Sequence, residues 1–161
     1  GRIFDAAASI LGLGDRISYE GEAALRLESR ALESDSKDYS IPEGDWMNPQ
    51  KLLESLINEL NLGRKVEDIA YDFHRKLLYS VILSIDRYQI DHIAFSGGVF
   101  QNGLLIDLII RNLSSDKNLY FHKVLSPNDE NISFGQLAHY IIDKKSKVGQ
   151  NKIYSDQSGI N

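Results

Sequence analysis

The chain has 161 residues, 42% apolar and 25% charged, with a net charge of −5, the make-up of one globular domain with a sizeable core. The acidic balance, with no lysine-arginine stripe interleaved with aromatics, argues against nucleic acid as the main partner, and the absence of cysteine excludes disulfides, thiolate metal sites and a cysteine nucleophile within the chain. No apolar run approaches the roughly 20 residues needed to span a bilayer and no charged-then-apolar signal pattern opens the sequence; the lack of cysteine suits a reducing cytoplasm.

"GRIFDAAASILGLG" starts in helical pattern almost at once. Ile3, Phe4, Ala7, Ile10 and Leu11 recur at helical spacing over 3–12, and Gly12 and Gly14 supply a stop. Such a start, without methionine or polar lead-in, reads as a cut through a larger protein or a processed end. A second helix is expected from about Glu20, with Ala23, Ala24, Leu27 and Ala31 on one face. Residues 35–47 read as a polar loop with a possible short strand around 39–41.

Asn48 and Pro49 form a helix start, an Asn cap followed by proline in the first turn. Leu52, Leu53, Leu56, Ile57 and Leu60 carry that helix to Gly63. Val66, Ile69, Ala70, Phe73, Leu77, Val81 and Ile85 then make the longest amphipathic stretch, ending near Tyr88, with His74 expected at its polar edge. A strand at 92–95, a helix at 99–113, a strand at 118–124 and a last helix at 131–143 complete the pattern. Residues 144–161 have almost no apolar periodicity and are expected to form a disordered tail. The class is α/β, helix-rich with a small, largely parallel sheet. So thin a sheet again suits one lobe of something larger.

Two stretches carry chemistry. "HIAFSGGVFQNGLL" passes from strand to helix through Ser96, Gly97 and Gly98. Ligands of open α/β sheets bind at carboxyl ends of strands, where glycines let a phosphate or adenosine approach backbone N–H groups and the helix dipole favours negative charge. Asn102 could aim its amide at the same place, although spacing alone equally allows a plain tight turn. There is no GxxxxGK[ST], and no G-x-S-x-G around Ser96, so Ser96 is not read as a nucleophile. In "SPNDENISFGQ", at the end of the second strand, Asp129 can be a hard-metal ligand, a ribose acceptor or, most simply, the N-cap of the last helix. It does not open an EF-hand, whose twelfth position is Tyr140 here. Asp5 by itself is explained as an acid in a first helical turn. The histidines show no HxxxH or HExxH spacing.

In order along the chain, "GRIFDAAASILGLGDRISYEGEAALRLESRA", "FHRKL", "AFSGGVFQNGLL" and "LSPNDENISFGQLAHYI" resemble the hydrogenase-maturation carbamoyltransferase family (HypF-type) over residues 1–142. The resemblance implies the second lobe of an actin-like ATPase (ASKHA) fold, similar to the tRNA threonylcarbamoyl-transferase subunit, filling 1–143 with the first lobe absent. It implies a protein that makes carbamoyl adenylate from carbamoyl phosphate and ATP in a separate domain. The carbamoyl group then passes to the C-terminal cysteine of a partner maturation protein, on the way to the cyanide ligand of [NiFe]-hydrogenase.

By the same resemblance, Asp5 would bind the ribose, and Gly21 and Glu22 would lie near the nucleoside. Gly97, Gly98 and Asn102 would hold the adenylate. Asp129 would be this lobe's ligand to a divalent metal (Fe, Zn or Mg) shared with the missing lobe, and no catalytic residue is assigned. Partners are the missing N-terminal domains and the protein carrying the acceptor cysteine; neither nucleic acid nor membrane is expected. Gly103 departs from the arginine common in the family, and Glu130 and Asn131 from glycine. Two other readings share these motifs: a neighbouring carbamoyl or threonylcarbamoyl transferase, and a non-catalytic nucleotide-binding or docking remnant.

Overall fold

A computed structural model describes residues 2–14, 16–36 and 38–156, with 145–156 by backbone alone. Along the chain run α1 (Arg2–Ile10), α2 (Glu22–Leu32), α3 (Pro49–Asn61), α4 (Val66–Tyr88), β1 (His92–Phe95), α5 (Gly103–Leu113), β2 (Asn118–Phe121) and α6 (Ile132–Asp156). Short 3-10 turns, Gly98–Gln101 and Asp129–Asn131, precede α5 and α6. β1 and β2 pair in parallel, His92 opposite Asn118 and Phe95 opposite Phe121, so both strands end at one level.

The core lies among the first five helices. Phe4, Ala7 and Ala8 of α1, Ala23, Leu27 and Ala31 of α2, Leu52 and Leu56 of α3, Ile69, Ala70 and Phe73 of α4, and Leu105, Leu108 and Ile109 of α5 are all buried. The alanines let α1, α2 and α4 approach closely, while Phe4 meets Phe73 edge to face with centroids 5.3 Å apart. α3 starts as its Asn-Pro pair predicts, the Asn48 side chain accepting from Gln50 N and Lys51 N.

Four expectations are revised. The helix expected over 99–113 is two pieces, because Asn102 takes an extended conformation (φ −73°, ψ 107°) and caps a fresh helix from Gly103. No strand forms at 39–41; that backbone is claimed by Arg75, whose Nε donates to Ser40 O at 2.6 Å and whose Nη2 pairs with Asp38 at 2.7 Å. β2 stops at Phe121, short of 124. His74, expected at a polar edge, is 0% exposed, its ring edge-on to Phe4 and Phe73 with centroids at 5.9 and 5.6 Å.

α6 spans residue 143, where apolar spacing placed the end of the lobe, and stays helical to Asp156; the last part of the expected tail, 157–161, lies outside the described residues. Apolar spacing reports packing against a body rather than backbone helicity, and Phe134, Leu137 and Tyr140 of α6 are more than half exposed.

Two tests follow from this core. On α5, Leu108 is 0% and Ile110 40% exposed, so Leu108→Ala should cost about 2–5 kcal/mol in denaturant unfolding and Ile110→Ala under about 1 kcal/mol; equal losses would mean that the buried stripe lies elsewhere. Burial holds His74 down from 6.5 to about 4. The unfolded chain then binds the extra proton first as pH falls, so stability is full above pH 6.5 and declines toward pH 4. Between pH 7 and 5 the linkage is worth about 2 kcal/mol. Denaturation midpoints of wild type and His74→Gln at both pH values check this, and the variant should lose correspondingly less.

Candidate functional site

β1 delivers the chain to Ser96, and Gly97 turns it. At φ +108°, ψ 156° Gly97 occupies a conformation that side chains disfavour, and its N–H thereby donates to Pro127 O at 2.7 Å. Two further bonds stitch the two strand-end loops, and a third braces the second loop internally. Ser96 Oγ lies 3.0 Å from His122 Nε2 and Gln101 Nε2 donates to Ser126 Oγ at 3.2 Å, while Asn131 Nδ2 donates to Ser126 O at 2.6 Å within the second loop. Parallel pairing thus brings the glycine turn and the "SPND" loop together.

Within that loop the helical cap is Asn128, whose Oδ1 accepts from Glu130 N at 3.3 Å. Capping therefore does not explain Asp129. Its side chain is exposed and makes no hydrogen bond or ion pair among the described residues. No group of three or more potential metal-ligating side chains forms among the described residues, so Asp129 could contribute one ligand to a cation but does not build a site here.

The start of α5 differs from a free anion-binding helix end. Glu28, reaching across from α2, accepts from Gly103 N at 2.7 Å and Leu104 N at 3.2 Å, and Asn102 Oδ1 accepts from Leu105 N at 2.8 Å. A carboxylate of the chain's own already meets the positive end of the α5 dipole. Glycine at 103 belongs to this arrangement, since a Cβ there would sit 3.3 Å from Glu28 Oε1. Sequence reasoning missed Glu28 because nothing local marks a cap supplied from 75 residues away.

Asn102 is buried, 6% exposed. With its oxygen committed to Leu105 N, its Nδ2 donates to His74 Nε2 at 2.9 Å. The other ring nitrogen, Nδ1, donates to Ala70 O at 2.8 Å. Asn102 thus holds the turn from below.

Above the turn there is room. A Cβ added to Gly97 or Gly98 meets nothing within 4 Å. Gly97 is explained by its φ, whereas Gly98 has neither a positive φ nor a close neighbour, so nothing among the described residues requires glycine there. The remaining predicted residues lie apart. Asp5, on α1 and half-buried, makes no side-chain hydrogen bond or ion pair among the described residues. Gly21 (φ +86°) starts α2. Glu22 is buried, accepting from Ser18 N and Arg26 Nη2, both at 2.5 Å, and these bonds, the Ser18 amide first, hold its carboxyl below the usual range. α2 reaches the α5 end through Glu28, roughly 9 Å along the helix from Glu22.

On another side the 3-10 turn borders an open apolar groove of about 680 Å³, lined by Phe4, Trp46, Val81, Ile85, Ile93 and Phe100 among others. Among the described residues no helix is long and apolar enough to cross a membrane.

Comparison with known proteins places this geometry. HypF carbamoyltransferases are similar in sequence: that of Rhodobacter capsulatus is 32% identical over 141 residues and that of Synechocystis 29% over 147, covering 84% and 85% of this chain. A crystal structure of full-length HypF in its phosphate- and nucleotide-bound form superposes with a TM-score of 0.68 at 31% identity over 84% of this chain and 19% of that one. HypF of T. kodakarensis gives 0.64 at 27%, covering 80% and 18%. The chain spans about a fifth of the length of these relatives, 18% of each of the two sequences named first. Residues 1–136 match the family model described as the carbamoyltransferase Kae1-like domain, second subdomain, and the chain belongs to that family.

Proposed function

We propose that this chain is one wall of a carbamoyl-transfer site that takes carbamoyl adenylate or ATP, with the acceptor being the C-terminal cysteine of a partner protein in [NiFe]-hydrogenase cyanide-ligand synthesis. The carrying observation is Gly98, a glycine that no strain or neighbour among the described residues requires, on the open side of a turn stitched to the Asp129 loop. Close approach by something outside the chain is the remaining physical reason for it. The nucleotide-bound relative binds a ligand of the class proposed.

In this reading the exposed face of the 97–101 turn receives the phosphate or ribose edge of the adenylate, and Asn102 supports it from beneath. Because α5 already carries Glu28 at its N-terminus, the anion is met by the 3-10 turn instead. Asp5, Gly21 and Glu22 line the nucleoside side, Glu22 through the shape it imposes on the start of α2. Asp129 supplies this lobe's ligand to a divalent cation, whose chemistry when bound is that of a Lewis acid on carbamoyl or phosphate oxygens. The chain has no cysteine, so the nucleophile comes from outside. The partner's thiolate attacks the carbamoyl carbon, the bond from that carbon to the adenylate oxygen breaks, and AMP leaves. The other lobe, the domain that makes the adenylate and a cytoplasmic setting complete this assignment. The open groove and the exposed apolar side of α6 are surfaces of the kind that larger partners cover.

Two measurements decide it. Calorimetry with AMP and ATP should show binding by the wild type and at least a tenfold loss, about 1.4 kcal/mol, for Gly98→Val, at an unchanged thermal midpoint. No binding by the wild type, or equal binding by the variant, would remove the turn from the site. The 161 residues alone should not catalyse carbamoyl transfer to an acceptor cysteine peptide. Sustained turnover would refute the view that half of the site lies elsewhere.

A further inference from the structure

The chain of three hydrogen bonds beneath the turn goes further than a cap. Ala70 O accepts from His74 Nδ1, His74 Nε2 accepts from Asn102 Nδ2, and Asn102 Oδ1 accepts from Leu105 N, at 2.8, 2.9 and 2.8 Å. We propose that His74 is a positioning residue for the glycine turn: its unprotonated Nε2 fixes which way the Asn102 amide faces, and so holds the junction between the 97–101 turn and α5. This rests on the reading of that turn as the nucleotide-facing element.

One arrangement satisfies every member. Rotating the Asn102 amide by half a turn would set its NH2 against the Leu105 N–H and its oxygen against a bare ring nitrogen. The other histidine tautomer would turn an unprotonated Nδ1 toward the Ala70 carbonyl, which cannot donate. The ring has no freedom to escape, being 0% exposed between Phe4 and Phe73. Among the described residues no buried side-chain nitrogen or oxygen lacks a partner, so any flip creates the first ones, in a setting where an unpaired group is costly. Asn102 is also where the backbone leaves the 3-10 turn at ψ 107° to begin α5. The 23-residue α4 thereby acts as the rigid frame from which the turn is hung, through a side chain that touches no ligand itself.

The protonation of the ring reads this coupling directly by nitrogen-15 NMR. At pH 7 the wild type should carry its proton on Nδ1 with Nε2 bare. Asn102→Asp keeps the oxygen that caps Leu105 and replaces the donor facing His74 by an acceptor, so Nε2 should become protonated; an unchanged ring overturns the proposal. His74→Gln sets an oxygen near the position of Nε2, whereas His74→Leu does not. Exchange of the Leu105 amide should be at least tenfold faster in His74→Leu than in His74→Gln, with the Leu56 amide of α3 alike in both. Equal exchange at Leu105 overturns it as well, and a loss that Gln does not restore would mark His74 as core packing alone. AMP affinity should follow the same ranking. A wild type that shows the ring pattern but ignores AMP sinks the proposed function and not the coupling, so the two ideas fail separately.

Discussion

The strand-to-helix junction depends on a buried amide that bonds in two directions. Asn102 carries donor and acceptor ends in one planar group, and each end is committed in a different direction, to α4 through His74 and to the first turn of α5. An apolar side chain could fill the space but could make neither bond. Because the imidazole is fully buried beside Phe4 and Phe73, burial keeps it neutral and thus available as an acceptor. The apolar core maintains the protonation state on which the polar chain relies.

Electrostatics at the same junction decide which atoms an outside ligand can reach. A helix N-terminus after a glycine turn invites an anion, yet here Glu28 supplies one from within the chain. The free approach lies one step earlier, over Gly97 and Gly98. The parallel register of β1 and β2 brings the Asp129 loop alongside, and Gly97 N to Pro127 O binds the two loops backbone to backbone, so neither loop depends on a long side chain for its position.

The unpartnered surfaces fit a subdomain. A two-stranded sheet is marginal by itself, and the groove beside β1 stays open. Relatives about five times longer have the material to cover such surfaces. Buried charges hold together what the small sheet does not. Arg75 pins the 38–40 backbone, and Lys76, ion-paired with Glu59, lies 4.8 Å from the Trp46 ring centre, so a loop rich in polar residues gains a fixed path against α4.

Periodicity and end signals in the sequence alone determined the helices, their buried faces, the strand pair and the family, because helical spacing, the Asn-Pro cap and the "SGGVFQN" and "SPND" motifs are local properties of the chain. The short spans at 39–41 and 99–102 went differently since Arg75 and Asn102 overrode local propensity with bonds from elsewhere. His74 looked like a polar-edge residue until the partners of its two nitrogens were visible, one four residues back and the other 28 residues on. Only tertiary structure decided that Glu28 caps α5, that Asn128 rather than Asp129 caps the last turn, and that Gly98 answers to nothing among the described residues. Each of these depends on which distant groups meet across the core, and a hydrogen bond made over tens of residues leaves no periodic trace in the sequence that makes it.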